Sequence, residues 1–202
     1  MPVTRQSELD TEFQRLHTVF TSSRFLKMEG LGNEVPFFIW TFDPGLQNQV
    51  DKHIDALVRR LRNDGLNVLV FNLFDLSIDC LKGRDAFTGT LEIEPSVSKT
   101  KFLSHLKSVL DVEHTLVPAM KEKLEAESHD IVFMTGIGLV YPFIRSHNIL
   151  NNVQRIFKEH PMVLFFPGEY RELPTGGSTL DLFGRMTDDN YYRAFDLNNY
   201  RV

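Results

Sequence analysis

The fold is predicted most clearly by residues 35–74, which read VPFFIWTFDPGLQNQVDKHIDALVRRLRNDGLNVLVFNLF. Residues 35–42 and 67–74 are nearly continuous apolar runs of strand length, which is typical of strands that are buried on both faces. Between them, Asp43 and Pro44 supply a helix cap and a proline at the first helical position, and an apolar helical stripe follows. A strand, a helix and a second strand form a βαβ unit, so we expect the two strands to be parallel.

The same alternation continues toward the C-terminus. Residues 131–134 and 162–166 are two further apolar runs of strand length. Between them, the glycines that follow residue 134 turn the chain, and we expect a long helix to run from Tyr141 and Pro142 to a stop at His160. These segments therefore predict a second unit of parallel strands joined by a helix.

Helices are predicted on either side of the central strands. Apolar residues at helical spacing predict a leading helix over about residues 7–27, where Ser7 and Asp10 resemble a capping box. Apolar residues at helical spacing over residues 102–110 and 116–124 predict two further helices. Residues 83–98 contain glycine, proline and mixed polar residues, so we expect an irregular connection there.

The C-terminal segment is predicted to be mostly loop. A loop of about twenty residues follows residue 166, with a short helix over residues 178–183, and residues 192–197 form a last strand at an edge. We therefore predict that residues 1–202 form one α/β domain. Its core is a mostly parallel, doubly wound five-stranded sheet, Rossmann-like or degenerate P-loop-like, with helices on both faces.

The cysteine content and the hydropathy favour a cytoplasmic protein. Cys80 is the only cysteine, so it cannot form an internal disulfide, and a lone thiol suits a reducing compartment. It packs as a small apolar residue or serves as a reactive thiol. The N-terminal residues lack the apolar stretch of a secretory signal, and no apolar run approaches the ~20 residues that span a bilayer.

The charge distribution argues against direct DNA binding. The formal net charge is −5, and the basic residues are scattered rather than gathered into a stripe that could neutralise phosphates. The one close cluster, Arg59, Arg60 and Arg62, lies at the end of a predicted helix, where it complements the helix dipole.

One candidate site is the crevice beyond the carboxyl ends of the strands, where open parallel sheets bind ligands. The residues that we expect there are Asp43, Asp75, Gly136, Gly138, Gly168 and Glu169. The carboxylates could coordinate Mg²⁺ and the glycines could cradle a phosphate. Alternatively, Asp43 and Asp75 only cap helices. The sequence contains neither a complete dinucleotide fingerprint nor a G-x-x-x-x-G-K-[ST] motif, and we expect no bound cofactor and no resident metal.

A second candidate site is a polar surface for a protein partner. Asparagine, arginine and tyrosine are more typical of protein interfaces than of inert surfaces, which favour lysine and glutamate. The candidate residues are Arg145, Asn148, Asn152, Arg155, Arg185, Tyr191, Tyr192 and Arg193.

Four longer segments resemble the BrxB family of BREX, a bacterial system that defends against phage. These segments are GLGNEVPFFIW (30–40), FMTGIGLVYPFIRSHNILNN (133–152), VLFFPGEY (163–170) and GGSTLDLFGRMTDDNYYRAF (176–195). The resemblance implies a cytoplasmic bacterial protein that works beside a large BREX ATPase, a DNA methyltransferase of the PglX type and a PglZ-like protein of the alkaline-phosphatase superfamily. It supplies no catalytic residues that could be carried over to this chain.

Two hypotheses for the function follow. The first is a non-enzymatic assembly module that contacts the PglZ-like protein and, through it or directly, the ATPase and the methyltransferase. The second is an enzyme or a switch that responds to a nucleotide or to Mg²⁺ through the carboxylates at the strand ends.

Overall fold

The computed structural model describes residues 2–29, 36–153, 155–157, 159–172, 178–188 and 194–200. The helices are α1 (Leu9–Phe20), α2 (Ser23–Leu26), α3 (Gln47–Asn63), α4 (Leu73–Gly83), α5 (Phe87–Ile93), α6 (Lys99–Val109), α7 (Val117–Ala126) and α8 (Ser146–Val153). The strands are β1 (Phe37–Phe42), β2 (Val68–Asn72), β3 (Ile131–Thr135), β4 (Met162–Glu172), β5 (Ser178–Leu182), β6 (Met186–Asp188) and β7 (Phe195–Asp196). A π-helix, Val112–Leu116, leads into α7.

The predicted α/β fold with a mostly parallel sheet is confirmed. Five strands are parallel and lie in the order β2-β3-β4-β1-β7. The predicted edge position of the last strand is also confirmed, because β7 pairs with β1 and ends the sheet on that side. Beyond the parallel part, β4 continues into an antiparallel extension with β5 and β6.

Helices cover both faces of the sheet because the strand side chains alternate between two hydrophobic cores. On one face, α1, α2 and α3 pack against residues such as Phe38, Trp40 and Phe133. On the other face, α4, α7, α8 and the π-helix pack against residues such as Ile39 and Met134. Many of the phenylalanines are therefore core residues, and each face of the sheet is occupied by the chain's own helices.

The predicted leading helix over residues 7–27 is wrong in its extent. Helix α1 ends at Phe20, and α2 begins again at Ser23. The hydroxyl of Thr21 donates a hydrogen bond to the carbonyl of His17, and the hydroxyl of Ser22 accepts one from the amide of Phe25. These side-chain bonds compete with helix continuation. Ser7 makes no capping hydrogen bond at the first helix.

The helix between β3 and β4 is also shorter than predicted. Helix α8 begins at Ser146 rather than at Tyr141. The turn before it contributes Ile137, Val140 and Ile144 to the core, and each of them is buried. The burial of these three side chains and two backbone hydrogen bonds, Leu139 to Gly136 and Ile144 to Val140, hold this segment in turns rather than in a continuous helix.

Two predictions of irregular structure are wrong. Residues 83–98 contain helix α5 and a short 3₁₀ turn, Glu94–Ser96. The predicted loop after residue 166, with its short helix over 178–183, is instead the antiparallel extension of the sheet. Its strand β5 places Leu180 and Leu182 in the core, so packing stabilises it as a strand.

Burial of Cys80 supports its packing role over a reactive one. The side chain is half-buried against the core, and this burial raises the pKa of the thiol. A raised pKa keeps the thiol protonated near neutral pH and lowers its nucleophilicity. Among the residues that the structure describes, no helix is both long enough and apolar enough to span a membrane.

Candidate partner-binding site

The carboxyl ends of the parallel strands bring Asp43, Asn72 and Gly136 to one edge of the sheet. Asp43 follows β1, and its Oδ1 accepts a hydrogen bond of 2.7 Å from the amide of Gly45. This bond caps the turn that leads into α3, as the sequence predicts. The predicted cap at Asp75 is wrong, because Asn72 caps α4 and accepts hydrogen bonds from the amides of Phe74 and Asp75.

Gly136 is required by its backbone conformation and by its close approach to Asn72. Its φ of +75° lies in the left-handed region, which favours glycine. A Cβ atom at this position would lie 2.5 Å from Oδ1 of Asn72 and 3.3 Å from the amide nitrogen of Leu73. The capping side chain of β2 therefore occupies the space beside the turn after β3.

The other two glycines of the predicted crevice are also packing positions. A Cβ atom at Gly138 would lie 2.9 Å from the ring of Phe183 and 3.0 Å from the ring of Pro167. At Gly168, which lies inside β4 rather than in a loop, a Cβ atom would overlap the carbonyl oxygen of Asp181 in β5. The antiparallel extension thus packs onto the turn that was expected to cradle a phosphate.

Glu169 lies in an ion-pair network on the antiparallel extension. Arg171 donates hydrogen bonds of 2.7 and 3.0 Å to Glu169, and its Nε lies 3.2 Å from Oδ2 of Asp181. The Asp181 side chain is only 6% exposed, and its Oδ1 has no hydrogen-bond partner among the described residues. Glu169 therefore pairs with a neighbouring cation of its own chain. The sequence signalled neither Arg171 nor Asp181, because their pairing depends on the register of β4 and β5.

These contacts give Asp43, Glu169 and the three glycines roles that need no ligand, whereas Asp75 is exposed in the first turn of α4. Binding of Mg²⁺ or phosphate at this edge stays a prediction. Within the described ranges, no three His, Cys, Asp or Glu side chains are grouped so that they could hold a metal ion.

The polar surface of α8 is a better-formed candidate site. Arg145, Asn148 and Asn152 line one wall of a groove of about 360 Å³. The opposite wall comes from the end of α6 and from the π-helix, and it includes Lys107, Asp111, Glu113 and the apolar residues Leu110 and Val112. Phe143 completes the lining. The structure therefore brings three of the predicted interface residues together around an apolar strip.

The π-helix gives this groove its shape. Asp111 caps it: its Oδ1 accepts a hydrogen bond of 2.8 Å from the amide of His114 and lies 2.8 Å from Nδ1 of the same residue. These two bonds lower the pKa of the Asp111 carboxyl below its usual value, and the bond from the His114 backbone amide has the larger effect. A π-turn within a helical segment frequently marks a functional site. Sequence reasoning missed it, because the spacing of apolar residues does not distinguish one π-turn from an α-helical turn.

The other predicted interface residues do not all join the groove. Arg155 lines a separate cavity of about 430 Å³ at the opposite edge of the sheet, together with Lys121, His129 and His160. Arg185 is exposed in the turn between β5 and β6. Tyr191, Tyr192 and Arg193 lie outside the described residues. Among the candidates that the structure describes, Arg145, Asn148 and Asn152 thus form one compact surface, and Arg155 and Arg185 do not line it.

The chain is similar to proteins of a single family. The family model for "BREX protein BrxB" matches residues 69–197. A BREX protein BrxB of Bacillus cereus (strain H3081.97) is 35% identical over 181 residues, which cover 88% of this chain and 91% of the relative. A BREX protein BrxB of Escherichia coli O9:H4 (strain HS) is 28% identical over 189 residues, covering 94% and 91%.

No solved structure matches the chain significantly. The family match includes the π-helix, α8 and the antiparallel extension, and the relatives cover nearly the whole chain. The chain belongs to the BrxB family.

Proposed function

We propose that this protein is a non-enzymatic component of the BREX phage-defence system and that it helps to assemble the defence complex by binding the PglZ-like protein. Its membership of the BrxB family supports a place in BREX. The assembly role and the choice of partner are our proposals, and the α8 groove is the surface through which we expect the contact to form.

The observation that carries this proposal is the composition of the groove. Arg145 and Asn148 are exposed at the start of α8, and they share the groove with Val112 and Phe143, which are apolar and half-buried. A partner side chain that enters the groove would find both apolar contact and directional hydrogen-bond donors. Protein interfaces combine an apolar centre with arginine and a polar rim in this way.

A non-enzymatic role is supported by the packing at the carboxyl edge of the sheet. Asn72, Phe183 and the backbone of Asp181 occupy the space beside the three glycines that were candidates for phosphate binding. Asp43 uses one carboxylate oxygen to cap a helical turn. These residues have structural roles that account for their positions, whereas Arg145 and Asn148 at the α8 groove are exposed.

The experiment that tests the proposal is co-purification of the chain with the PglZ-like protein of its own operon, followed by light scattering to give the stoichiometry. We expect a stable complex. The variant Arg145→Glu should weaken it at least about tenfold, because the substitution places a repulsive charge in the contact.

The matched control is Arg59→Glu, which reverses an exposed arginine on α3 at the opposite face of the sheet. This variant should bind as the wild type does. A complex that forms equally well with Arg145→Glu would show that the partner uses another surface. The absence of any complex at micromolar concentrations would contradict the choice of partner itself.

A further inference from the structure

Helices α5 and α6 form a helical hairpin that is attached to the domain at its base. Helix α6 has no buried residue along its whole length. Phe87 of α5 and Leu106 and Val109 of α6 are half-buried against the core and anchor the hairpin. The two helices are joined by a polar contact of 3.0 Å between Oγ1 of Thr90, which is buried, and Nε2 of His105.

The free part of the hairpin carries apolar side chains that the domain does not cover. Leu91 is 52% exposed. Ile93, Phe102 and Leu103 are only partly buried, and none of these four residues belongs to either hydrophobic core or packs against one. Phe102 is one turn from Leu106 along the same helix face, so the apolar stripe continues from the core contact onto the surface.

The charge of the hairpin differs between its two sides. Residues 97–110 contain three lysines, Lys99, Lys101 and Lys107, and no acidic residue, whereas the α5 side carries Glu92 and Glu94. In the part of the chain that the structure describes, no carboxylate forms an ion pair with any of these lysines. The α6 side of the hairpin therefore combines an uncovered apolar stripe with lysines that no described carboxylate pairs.

We propose that this hairpin surface, defined by Leu91, Ile93, Lys99, Lys101, Phe102 and Leu103, docks an acidic amphipathic helix of a partner protein. The apolar face of such a helix would cover the stripe, as amphipathic helices do in hydrophobic grooves. Its glutamates and aspartates would pair with the lysines at the rim. The charge complementarity steers the encounter and selects acidic over basic helices.

The hairpin suits a protein helix better than an anionic membrane. Glu92 and Glu94 lie beside the uncovered leucine and isoleucine and would repel a negatively charged lipid surface. Helix α6 is 11 residues long and carries Phe102 as its one aromatic residue, which gives it little apolar area to insert into an interface. A partner helix, in contrast, can place its acidic side chains beside Lys99 and Lys101 and away from Glu92 and Glu94.

This inference does not rest on the proposed contact at α8. Lys107 lies at the end of α6 that lines the α8 groove, so the two surfaces are neighbours. Lys99 and Lys101 lie at the other end of α6 and do not line that groove. Substitutions at Lys99 and Lys101 therefore test the hairpin surface separately.

The test is a titration of the full chain, labelled with ¹⁵N, with a synthetic amphipathic peptide that carries leucines at helical spacing and glutamates on its other face. A control peptide keeps the leucines and replaces every glutamate by lysine. We expect saturable shifts at the amides of Leu91, Phe102 and Leu103 with the acidic peptide. The basic peptide should bind at least about tenfold more weakly.

Two variants locate the contact. The double variant Lys99→Glu with Lys101→Glu should weaken binding of the acidic peptide by roughly three- to tenfold. This is the loss of affinity expected when two exposed ion pairs are removed together. The matched control, Lys52→Glu with Arg59→Glu, reverses two exposed charges of α3 on the opposite face and should leave binding unchanged. Because all four residues are exposed, both double variants should keep the thermal stability of the wild type.

Three results would overturn the inference. The first is the absence of shifts with the acidic peptide at millimolar concentration. The second is equal binding of the acidic and the basic peptide. The third is binding to vesicles of phosphatidylserine and phosphatidylcholine without binding to the acidic peptide, which would assign the surface to a membrane instead.

Discussion

Asn72 and Gly136 show how a single residue pair can join two strands and close a potential site. Asn72 is the last residue of β2, and its side chain caps α4. The turn after β3 can lie beside this cap only because Gly136 has no Cβ atom and can adopt a positive φ. The glycine that suggested a phosphate cradle therefore serves to accommodate an asparagine.

The variant Gly136→Ala should destabilise the protein by about 1–3 kcal/mol, since alanine is strained at positive φ and its methyl group would press on Asn72. The free energy of unfolding from a urea titration is the measurement. Gly83→Ala is the matched control, because Gly83 has no atom near its Cβ position and lies at the end of α4. It should be neutral or slightly stabilising. An equal free energy for Gly136→Ala and the wild type would refute this account.

At single positions, the sequence predicts location better than role. Asp43, Gly136 and Gly138 lie at the carboxyl edge of the sheet, as the strand pattern predicts, and Asp43 caps the turn that follows it. What fills the edge could not be predicted, because Phe183 approaches Gly138 from about forty-five residues further along the chain. Contacts of this kind depend on tertiary packing and leave no local pattern.

Elements were predictable where one local pattern dominates. Strands β1 to β3 are short apolar runs, and α3 has a strong apolar stripe, so their positions follow from the sequence. The antiparallel extension was not predictable, because Pro167 and Gly168 suggest a turn although both lie inside β4. Its strand β5 is stabilised by pairing with β4 and by two leucines that reach the core.

The pairing of β4 with β5 should depend strongly on Gly168. Because a methyl group there would overlap the carbonyl of Asp181, Gly168→Ala should separate the two strands locally and cost about 2–4 kcal/mol. Hydrogen exchange at the amides of Leu180 and Leu182 should accelerate more than exchange in β2. Gly89→Ala, in open space on α5, is the control and should leave exchange in β5 unchanged. Unaltered protection of β5 in Gly168→Ala would contradict the assigned register.

At the scale of the whole molecule, the two faces of the sheet differ in what they offer a partner. The face covered by α1, α2 and α3 is held by polar contacts between elements, such as the hydrogen bond of 3.0 Å from the Trp40 indole to Glu12. The face covered by α4 to α8 carries both the α8 groove and the uncovered hairpin surface. We therefore expect protein partners to gather on this second face.

The same architecture predicts that ATP, GTP and Mg²⁺ leave the stability of the whole protein unchanged. A ligand that binds only the folded state stabilises it by RT ln(1 + [L]/Kd), about 1.4 kcal/mol at ten times Kd. For a chain of this size, that corresponds to a rise in Tm of roughly 3–6 °C. Because the glycines at the strand ends are packed against the chain's own atoms, we expect a change in Tm below about 1 °C at millimolar ligand.

Differential scanning fluorimetry with each nucleotide, with and without Mg²⁺, measures this change, and calorimetric titration checks it without heating. The wild type is compared with Asp43→Asn, which keeps an oxygen that can cap the turn but removes the charge that a metal would need. A saturable rise in Tm that Asp43→Asn abolishes would establish a ligand site at the carboxyl edge and favour the switch. A rise that survives in the variant would place the ligand elsewhere, because binding would then not depend on the Asp43 charge.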